Sequence, residues 1–146
     1  MKWGAIFIAV VALAAGAWYL LQPVGGNAPV NVEGTSKPDD GAMVTVKVPA
    51  TFSDQEQTGK RGFEAFCAKC HGANAQGIEG SAPPLVHKIY EPSHHGDMAF
   101  ILAAQNGVRS HHWKFGNMPP VDGVTKADVK NIVTYIRALQ RENGIQ

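Results

Sequence analysis

The chain has 146 residues, enough for one ordinary domain with additional segments, so a single hydrophobic core is expected. Its formal net charge is +1, from 13 Lys and Arg against 12 Asp and Glu, and the sequence contains no dense basic block, so nucleic acid is excluded as an expected partner. Two cysteines are too few for the disulfide framework of many small secreted proteins, and this pair therefore needs a local chemical explanation.

Residues 1–21 are predicted to form a transmembrane anchor. The run from Gly4 to Leu21 carries no charge and approaches the roughly 20 apolar residues that a helix needs to cross the hydrocarbon core. Because Lys2 is the only positive charge before Lys37, the positive-inside tendency places the N-terminus in the cytoplasm and the rest of the chain outside. The alternative is a cleaved signal peptide. Apolar residues continue as far as Leu21, which favours the anchor, and export is expected in both cases.

Residues 22–52 are predicted to form a flexible linker, because they are rich in Pro and Gly and lack a helical apolar period. Within them, Val44, Val46 and Val48 alternate with polar residues, which is the period of a half-buried strand. This stretch either packs on the domain or a partner, or is simply a short extended part of the linker. The second interpretation is favoured.

Residues 53–146 are predicted to form the globular domain, which begins with a helix. Ser53 is followed three residues later by Glu56, the pattern of a capping box at a helix N-terminus. The helix is expected to run from about Asp54 to Cys70. No strong strand pattern follows it, so the predicted fold class is all-α.

Two further helices are predicted. The first begins near Asp97 and ends at Gly107, where glycine favours a left-handed cap, and Met98 is expected in the core on its apolar face. The second opens at Thr125 with another capping pattern. Its apolar face is formed by Val129, Ile132, Val133, Ile136 and Leu139.

The motif Cys67-Ala68-Lys69-Cys70-His71 carries the most specific chemistry in the sequence. Its spacing places two thiols where they can add to the two vinyl groups of one porphyrin, and His71 can present its imidazole to the iron. A thioredoxin-like pair, a Cys2His2 zinc site and a purely structural pair are the alternatives. The first needs a βαβ pattern, and the second needs two histidines three to five residues apart; neither is present.

The stretch from Ser53 to Gln140, about six-tenths of the chain, resembles a class I c-type cytochrome. In that family a glycine and a phenylalanine lie eight and four residues before the first haem cysteine, and Gly59 and Phe63 match them. The resemblance implies a cytochrome c fold of three to four helices around one covalent haem c. It also implies that Gly59 lets the first helix pass close beneath Tyr135 of the last, since a residue without Cβ permits backbone contact.

The resemblance implies further residues at the haem. Pro83, twelve residues after His71, would accept the proton of the other ring nitrogen of that histidine and so orient it. Leu85 would pack on the haem face. Met118 would be the sixth ligand, because the family presents its axial methionine in a loop before the last helix, commonly followed by proline. Ligation by histidine and methionine suits an electron carrier.

The pairs His94-His95 and His111-His112 do not belong to the family pattern. Adjacent histidines in a strand or loop are expected to point apart, so either pair alone would be a poor metal chelate. One hypothesis is a copper or second haem site with one histidine from each pair. The more ordinary interpretation is that His112, Trp113 or Arg109 faces a haem propionate and that the remaining histidines are solvated.

The predicted function is a single-electron carrier, not an enzyme, tethered to the bacterial inner membrane with its haem domain facing the periplasm. Its partners are expected to be redox proteins: a donor such as a quinol-oxidising complex, and a terminal oxidase or reductase as acceptor. No small-molecule substrate is expected. One alternative is a fixed cytochrome c subunit of a larger membrane oxidoreductase. Another is a haem sensor or enzyme from whose iron Met118 dissociates.

Overall fold

The computed structural model describes residues 41–146; the predicted anchor and the first part of the predicted linker lie outside the described residues. The described part contains the α-helices α1 (Asp54–Phe66), α2 (Ala68–His71), α3 (Asp97–Asn106) and α4 (Lys126–Glu142), and a 3₁₀ helix (Lys88–Tyr90). Residues 41–146 contain isolated β-bridges but no strand, as expected for the all-α class. None of these helices has the length and apolar character needed to cross a membrane.

Both long helices begin at the predicted capping residues. The Ser53 hydroxyl accepts a hydrogen bond from the backbone N–H of Glu56, whose carboxylate accepts one from the backbone N–H of Ser53. Thr125 and Asp128 form the same reciprocal box at the start of α4. The Thr125 hydroxyl and then the Thr125 backbone N–H, which both donate to the carboxylate, lower the pKa of Asp128. Each box satisfies backbone donors that the first helical turn leaves unpaired.

The first helix is shorter than predicted. It ends at Phe66, and the chain leaves helical geometry at Cys67, with φ −120° and ψ −34°. A single turn, α2, then continues to His71, so the expected helix is divided into two pieces at the first cysteine of the motif.

The central packing of the domain is the crossing of α1 and α4. A Cβ atom at Gly59 would lie 1.9 Å from the backbone oxygen of Asn131 and 3.0 Å from Cβ of Tyr135, so only glycine permits this approach. Tyr135 is fully buried between Phe52 and Phe63, with ring centroids 5.4 and 5.5 Å away. The close approach expected at Gly59 is therefore present.

The structure confirms the apolar face of α4 but corrects that of α3. All five residues predicted for the α4 face are buried. On α3, Ile101 and Ala104 are buried, whereas Met98 is 60% exposed, so the core position predicted for Met98 is wrong. Apolar residues occur around the whole circumference of α3, and its sequence pattern therefore does not distinguish one face for the core.

Part of the predicted linker packs on the domain. Val46 and Val48 contact the core, and Lys47 between them pairs with Asn143 at the end of α4. The Lys47 backbone N–H donates to the Asn143 side-chain oxygen at 2.9 Å, and its carbonyl accepts from the side-chain nitrogen at 2.8 Å. Residues 44–48 therefore pack on the domain, which was the less favoured of the two interpretations of the valine alternation. Packing is favourable here because it buries apolar surface that a free linker would leave in water.

Candidate functional site

A cavity of about 560 Å³ lies among the helices and the loops that join them. Its volume is within the range of roughly 300–1,000 Å³ typical of pockets for cofactors and small ligands. Much of its wall is apolar, with side chains such as Leu85, Phe100, Ile132 and Ile136. Such a wall suits a large planar apolar group and excludes water from it.

Both cysteines of the motif line this cavity together with His71. Cys70 and His71 follow Cys67 by three and four positions, the spacing that places their side chains on the same face of a helical segment as that of Cys67. The two cysteines are not joined by a disulfide bond, so both sulfur atoms can bond to a cofactor. Burial, and to a smaller extent the neighbouring Cys70, raises the pKa of the Cys67 thiol to about 11, so this thiol is protonated at neutral pH.

His71 is buried, and its ring is held by the loop that follows it. Nδ1 of His71 lies 2.8 Å from the carbonyl oxygen of Pro83, so the Nδ1 proton can be donated to that oxygen and Nε2 left for a metal ion. Burial lowers the pKa of His71, although the hydrogen bond to Pro83 acts in the opposite direction. The neutral imidazole, which binds metal, is therefore the favoured form. Leu85, two residues beyond Pro83, is buried in the cavity wall.

Met118 lies in the wall of the same cavity, and within residues 41–146 neither Met43 nor Met98 does. Its backbone pairs with Val108 through two hydrogen bonds of 2.9 and 3.0 Å. Gly107 has φ +73°, and a Cβ there would lie 2.5 Å from the Met118 carbonyl oxygen. Glycine thus allows the end of α3 to meet the loop that carries the methionine.

These donors are a chemically consistent set for a haem. Two thiols would form thioether bonds to a porphyrin, and an oriented neutral imidazole and a thioether sulfur would bind its iron. The apolar wall would face the macrocycle. The residues that line the cavity therefore fit this cofactor chemically.

Four histidines that were expected to point apart lie close together at the cavity, and three of them, His95, His111 and His112, line it. Ring centroids are 4.7 Å apart for His94 and His95, and 4.2 Å apart for His111 and His112. The expectation is wrong because the first pair lies in a turn, where both backbone N–H groups donate to the carbonyl of Glu91, and not in an extended segment. Desolvation, then the charges of His111, His95 and His94, lower the pKa of His112.

Trp113 lines the cavity beside these histidines, and its indole N–H donates to the Tyr90 hydroxyl at 3.1 Å. Its single donor is therefore already used, which argues against the propionate contact considered for this residue. His111 and His112 line the cavity as well.

Arg137 is a structural residue that the sequence analysis missed. Its buried guanidinium donates to the carbonyl oxygens of Tyr90 and His95 at 2.7 and 2.6 Å, and to the Asp97 carboxylate at 2.9 Å. These bonds fasten the turn that carries the histidines, and the start of α3, to α4. Arg137 stands four residues after Val133 and next to Ile136, on the buried face of α4, and a charged residue at such a position is the sequence signal that could have indicated a buried partner.

The fold and this site define a c-type cytochrome. A model of the cytochrome c family matches residues 56–140, more than half of the chain, and the chain therefore belongs to that family. Its cofactor is accordingly a covalently bound haem c.

The chain is also similar to a subunit of a respiratory enzyme. It is 37% identical over 83 residues to the Cbb3-type cytochrome c oxidase subunit CcoP of Rubrivivax gelatinosus. The match covers 56% of this chain and 25% of that subunit, so the chain spans about a quarter of the length of the relative that it matches.

Proposed function

We propose that this protein is a membrane-tethered single-electron carrier whose haem is attached through Cys67 and Cys70 and ligated by His71 and Met118. The observation that carries the proposal is the presence of all four side chains in the wall of one cavity. Bound there, haem c supplies an iron that alternates between the ferrous and ferric states.

The protein's own residues set the conditions for that change of state. The bond to Pro83 holds the ring of His71 in one orientation, and the thioether of Met118 is a soft ligand that favours ferrous iron. The apolar wall keeps water away from the cofactor. An electron can then be gained or lost without a change of ligands, which suits a carrier.

Partners are proposed to approach at the rim of the cavity. Phe66 and Leu102 are apolar side chains of the cavity wall and would lie close to the cofactor. The proposed donor is a quinol-oxidising complex and the proposed acceptor a terminal oxidase or reductase. Similarity to a cytochrome c oxidase subunit supports the oxidase as acceptor.

The proposed location is the bacterial inner membrane, with residues 1–21 as a single-pass anchor and the haem domain in the periplasm. This part of the proposal rests on the uncharged run from Gly4 to Leu21. Membrane fractionation of the full chain tests it: the protein should stay with the membranes after a high-salt wash and be released by detergent. Release by salt alone would contradict an anchor.

A second candidate, favoured by the similarity to CcoP, is a fixed subunit of an oxidase complex. Native electrophoresis of membranes solubilised in mild detergent distinguishes it from the shuttle. A free shuttle should migrate apart from oxidase activity, whereas a fixed subunit should comigrate with it in a constant ratio.

Met118→Ala tests the proposed ligand directly. The full-length holoprotein should retain its haem covalently, lose the far-red absorption band of methionine-ligated ferric haem, and bind carbon monoxide when reduced. Met98→Ala is the matched control, because Met98 is exposed and lies outside the cavity wall, and it should keep the band.

Two outcomes would contradict the ligand assignment. If the band persisted in Met118→Ala, another residue would be the sixth ligand, and the imidazoles in the cavity wall would be the next to test. If the unsubstituted reduced protein bound carbon monoxide rapidly, the iron would be open to external ligands. The proposed function would then be that of a haem sensor or enzyme and not that of an electron carrier.

A further inference from the structure

The histidines beside the haem cavity form a cluster that electron transfer does not require. His94, His95 and His112 each offer a ring nitrogen, and these three nitrogens all lie within 4.8 Å of one another. Ring centroids are 5.4 Å apart for His94 and His112, and 5.3 Å for His95 and His112. Two segments distant in sequence thus bring three imidazoles to one point.

The backbones that carry these rings are anchored. The turn with His94 and His95 is closed on the Glu91 carbonyl, and Arg137 holds the carbonyl of His95 at 2.6 Å. In the loop with His112, the Ser110 N–H donates to the Asn117 side chain at 2.9 Å, next to the pairing of Val108 with Met118. The imidazoles therefore project from a supported framework and not from free chain ends.

One ring already has the orientation of a metal ligand. Nδ1 of His95 lies 2.6 Å from the carbonyl oxygen of Ile89, so it can donate its proton there and leave Nε2 available. Metal-binding histidines usually donate their other ring N–H to a carbonyl or carboxylate in this way. His71 makes the same type of contact with Pro83.

The remaining two rings are free to adjust. His94 and His112 are exposed, and among the described residues neither side chain has a hydrogen-bond partner. With bonds of about 2.0–2.1 Å from nitrogen to metal, neighbouring ligand nitrogens lie about 2.9 Å apart in the tetragonal geometry of copper(II) and about 3.4 Å apart in the tetrahedral geometry of zinc(II). Small rotations of exposed side chains can close that difference from the present separations.

We propose that His94, His95 and His112 bind one divalent transition-metal ion at the rim of the haem cavity, with copper(II) preferred over zinc(II). Three neutral imidazoles suit both ions, and copper(II) binds such ligands more tightly. Three protein ligands leave a coordination position for water. His111, 4.2 Å from His112 by ring centroids, does not belong to the set of three.

Metal titration of the holoprotein tests the site. The full chain, purified without a polyhistidine tag and treated with a chelator, is titrated with copper(II) and with zinc(II) in a calorimeter, and the copper form is examined by electron paramagnetic resonance. We expect one ion per chain, tighter binding of copper(II), and splitting from several imidazole nitrogens.

Variants identify the ligands. Removal of an outer-shell partner typically weakens metal binding about 10- to 100-fold, so His112→Ala or His94→Ala, which removes a direct ligand, should cost at least about tenfold. His111→Ala is the matched control, since it removes an exposed histidine of the same loop, and it should keep the affinity of the unsubstituted chain. Unchanged haem spectra in all variants would show that the fold and the iron ligands are intact.

Three results would overturn the proposal: no stoichiometric binding, equal affinity in His112→Ala and the unsubstituted chain, or loss of binding only in His111→Ala. A changed iron spectrum in His112→Ala would also overturn it, because that histidine would then be an iron ligand.

Position at the rim has its own test. His95 and His112 line the haem cavity, so a bound dication should favour the reduced haem and raise its midpoint potential. Redox-inert zinc(II) should therefore raise the potential of the unsubstituted protein and of His111→Ala but not of His112→Ala. A potential unchanged by bound zinc(II) would place the ion elsewhere and refute the assignment.

Discussion

Gly59→Ala should break the packing of α1 on α4. The added methyl carbon would lie 1.9 Å from the Asn131 carbonyl oxygen. Contacts of Cβ atoms shorter than 3.0 Å are essentially never observed, so this distance is about 1 Å too short. The obstacle is the backbone of α4, which cannot rotate away as a side chain can. The two helices must therefore separate, and the contact between Phe63 and Tyr135 must loosen with them.

Two opposing contributions determine the size of the effect. Alanine in place of glycine stabilises a helix by about 1 kcal/mol. Overpacking of a well-packed interior costs about 1–3 kcal/mol, and a clash with backbone is at or above the top of that range. The net loss of unfolding free energy should therefore be about 2 kcal/mol or more, which corresponds to about 10 °C in melting temperature for a domain of this size.

Gly62→Ala is the matched control on the same helix. There the new Cβ would lie 3.0 Å from Cγ1 of Ile132, a side chain that can shift, so the helix-propensity gain should cancel most of the cost. Denaturant unfolding of both full-length holoproteins, followed by far-ultraviolet circular dichroism, measures the difference. Equal stability of Gly59→Ala and Gly62→Ala would show that the Asn131 backbone does not exclude a side chain at position 59.

Two further substitutions test buried polar groups. The Tyr135 hydroxyl is buried with no partner among the described residues, so Tyr135→Phe should raise the unfolding free energy by about 1–3 kcal/mol; a less stable variant would contradict this. Burial, and secondarily Glu64, raises the pKa of Tyr135 from 10.0 to about 12, so this tyrosine ionises first in the unfolded state and the unfolding free energy falls as the pH rises from 10 toward 12. Unfolding of the phenylalanine variant should lack that alkaline component. Arg137→Met removes the partner of the His95 carbonyl and should lower the unfolding free energy by at least about 2 kcal/mol. Arg141→Met breaks an exposed ion pair on the same helix and should lower it by under about 1 kcal/mol in the same denaturant assay. Equal losses in the two arginine variants would show that burial of the first is not the cause.

Local patterns predicted the parts of the fold that depend on nearby residues. Each capping box joins groups three positions apart, so Ser53 and Thr125 could be placed at helix starts from the sequence alone. The apolar face of α4 was predictable because one continuous stripe is buried along it. The buried face of α3 could not be predicted in this way, since apolar residues surround that helix and the elements packed against it decide which side is buried.

Contacts between distant segments were beyond such patterns. Nothing near Lys47 in sequence indicates that Asn143, 96 positions later, pairs with its backbone. Likewise, the four groups that Arg137 holds come from the 3₁₀ helix, a turn, α3 and α4 itself, and only the folded chain brings them together.

The sequence by itself determined the cofactor chemistry of this protein, because attachment and one proposed ligand are contained in Cys67 to His71, where covalent connectivity sets the spacing. Tertiary structure decided what surrounds that motif. The ring of His71 meets Pro83, Met118 enters the same cavity, and histidines from two turns converge beside it. Such convergence depends on how helices pack and where loops are anchored, and it therefore cannot be predicted from local sequence patterns.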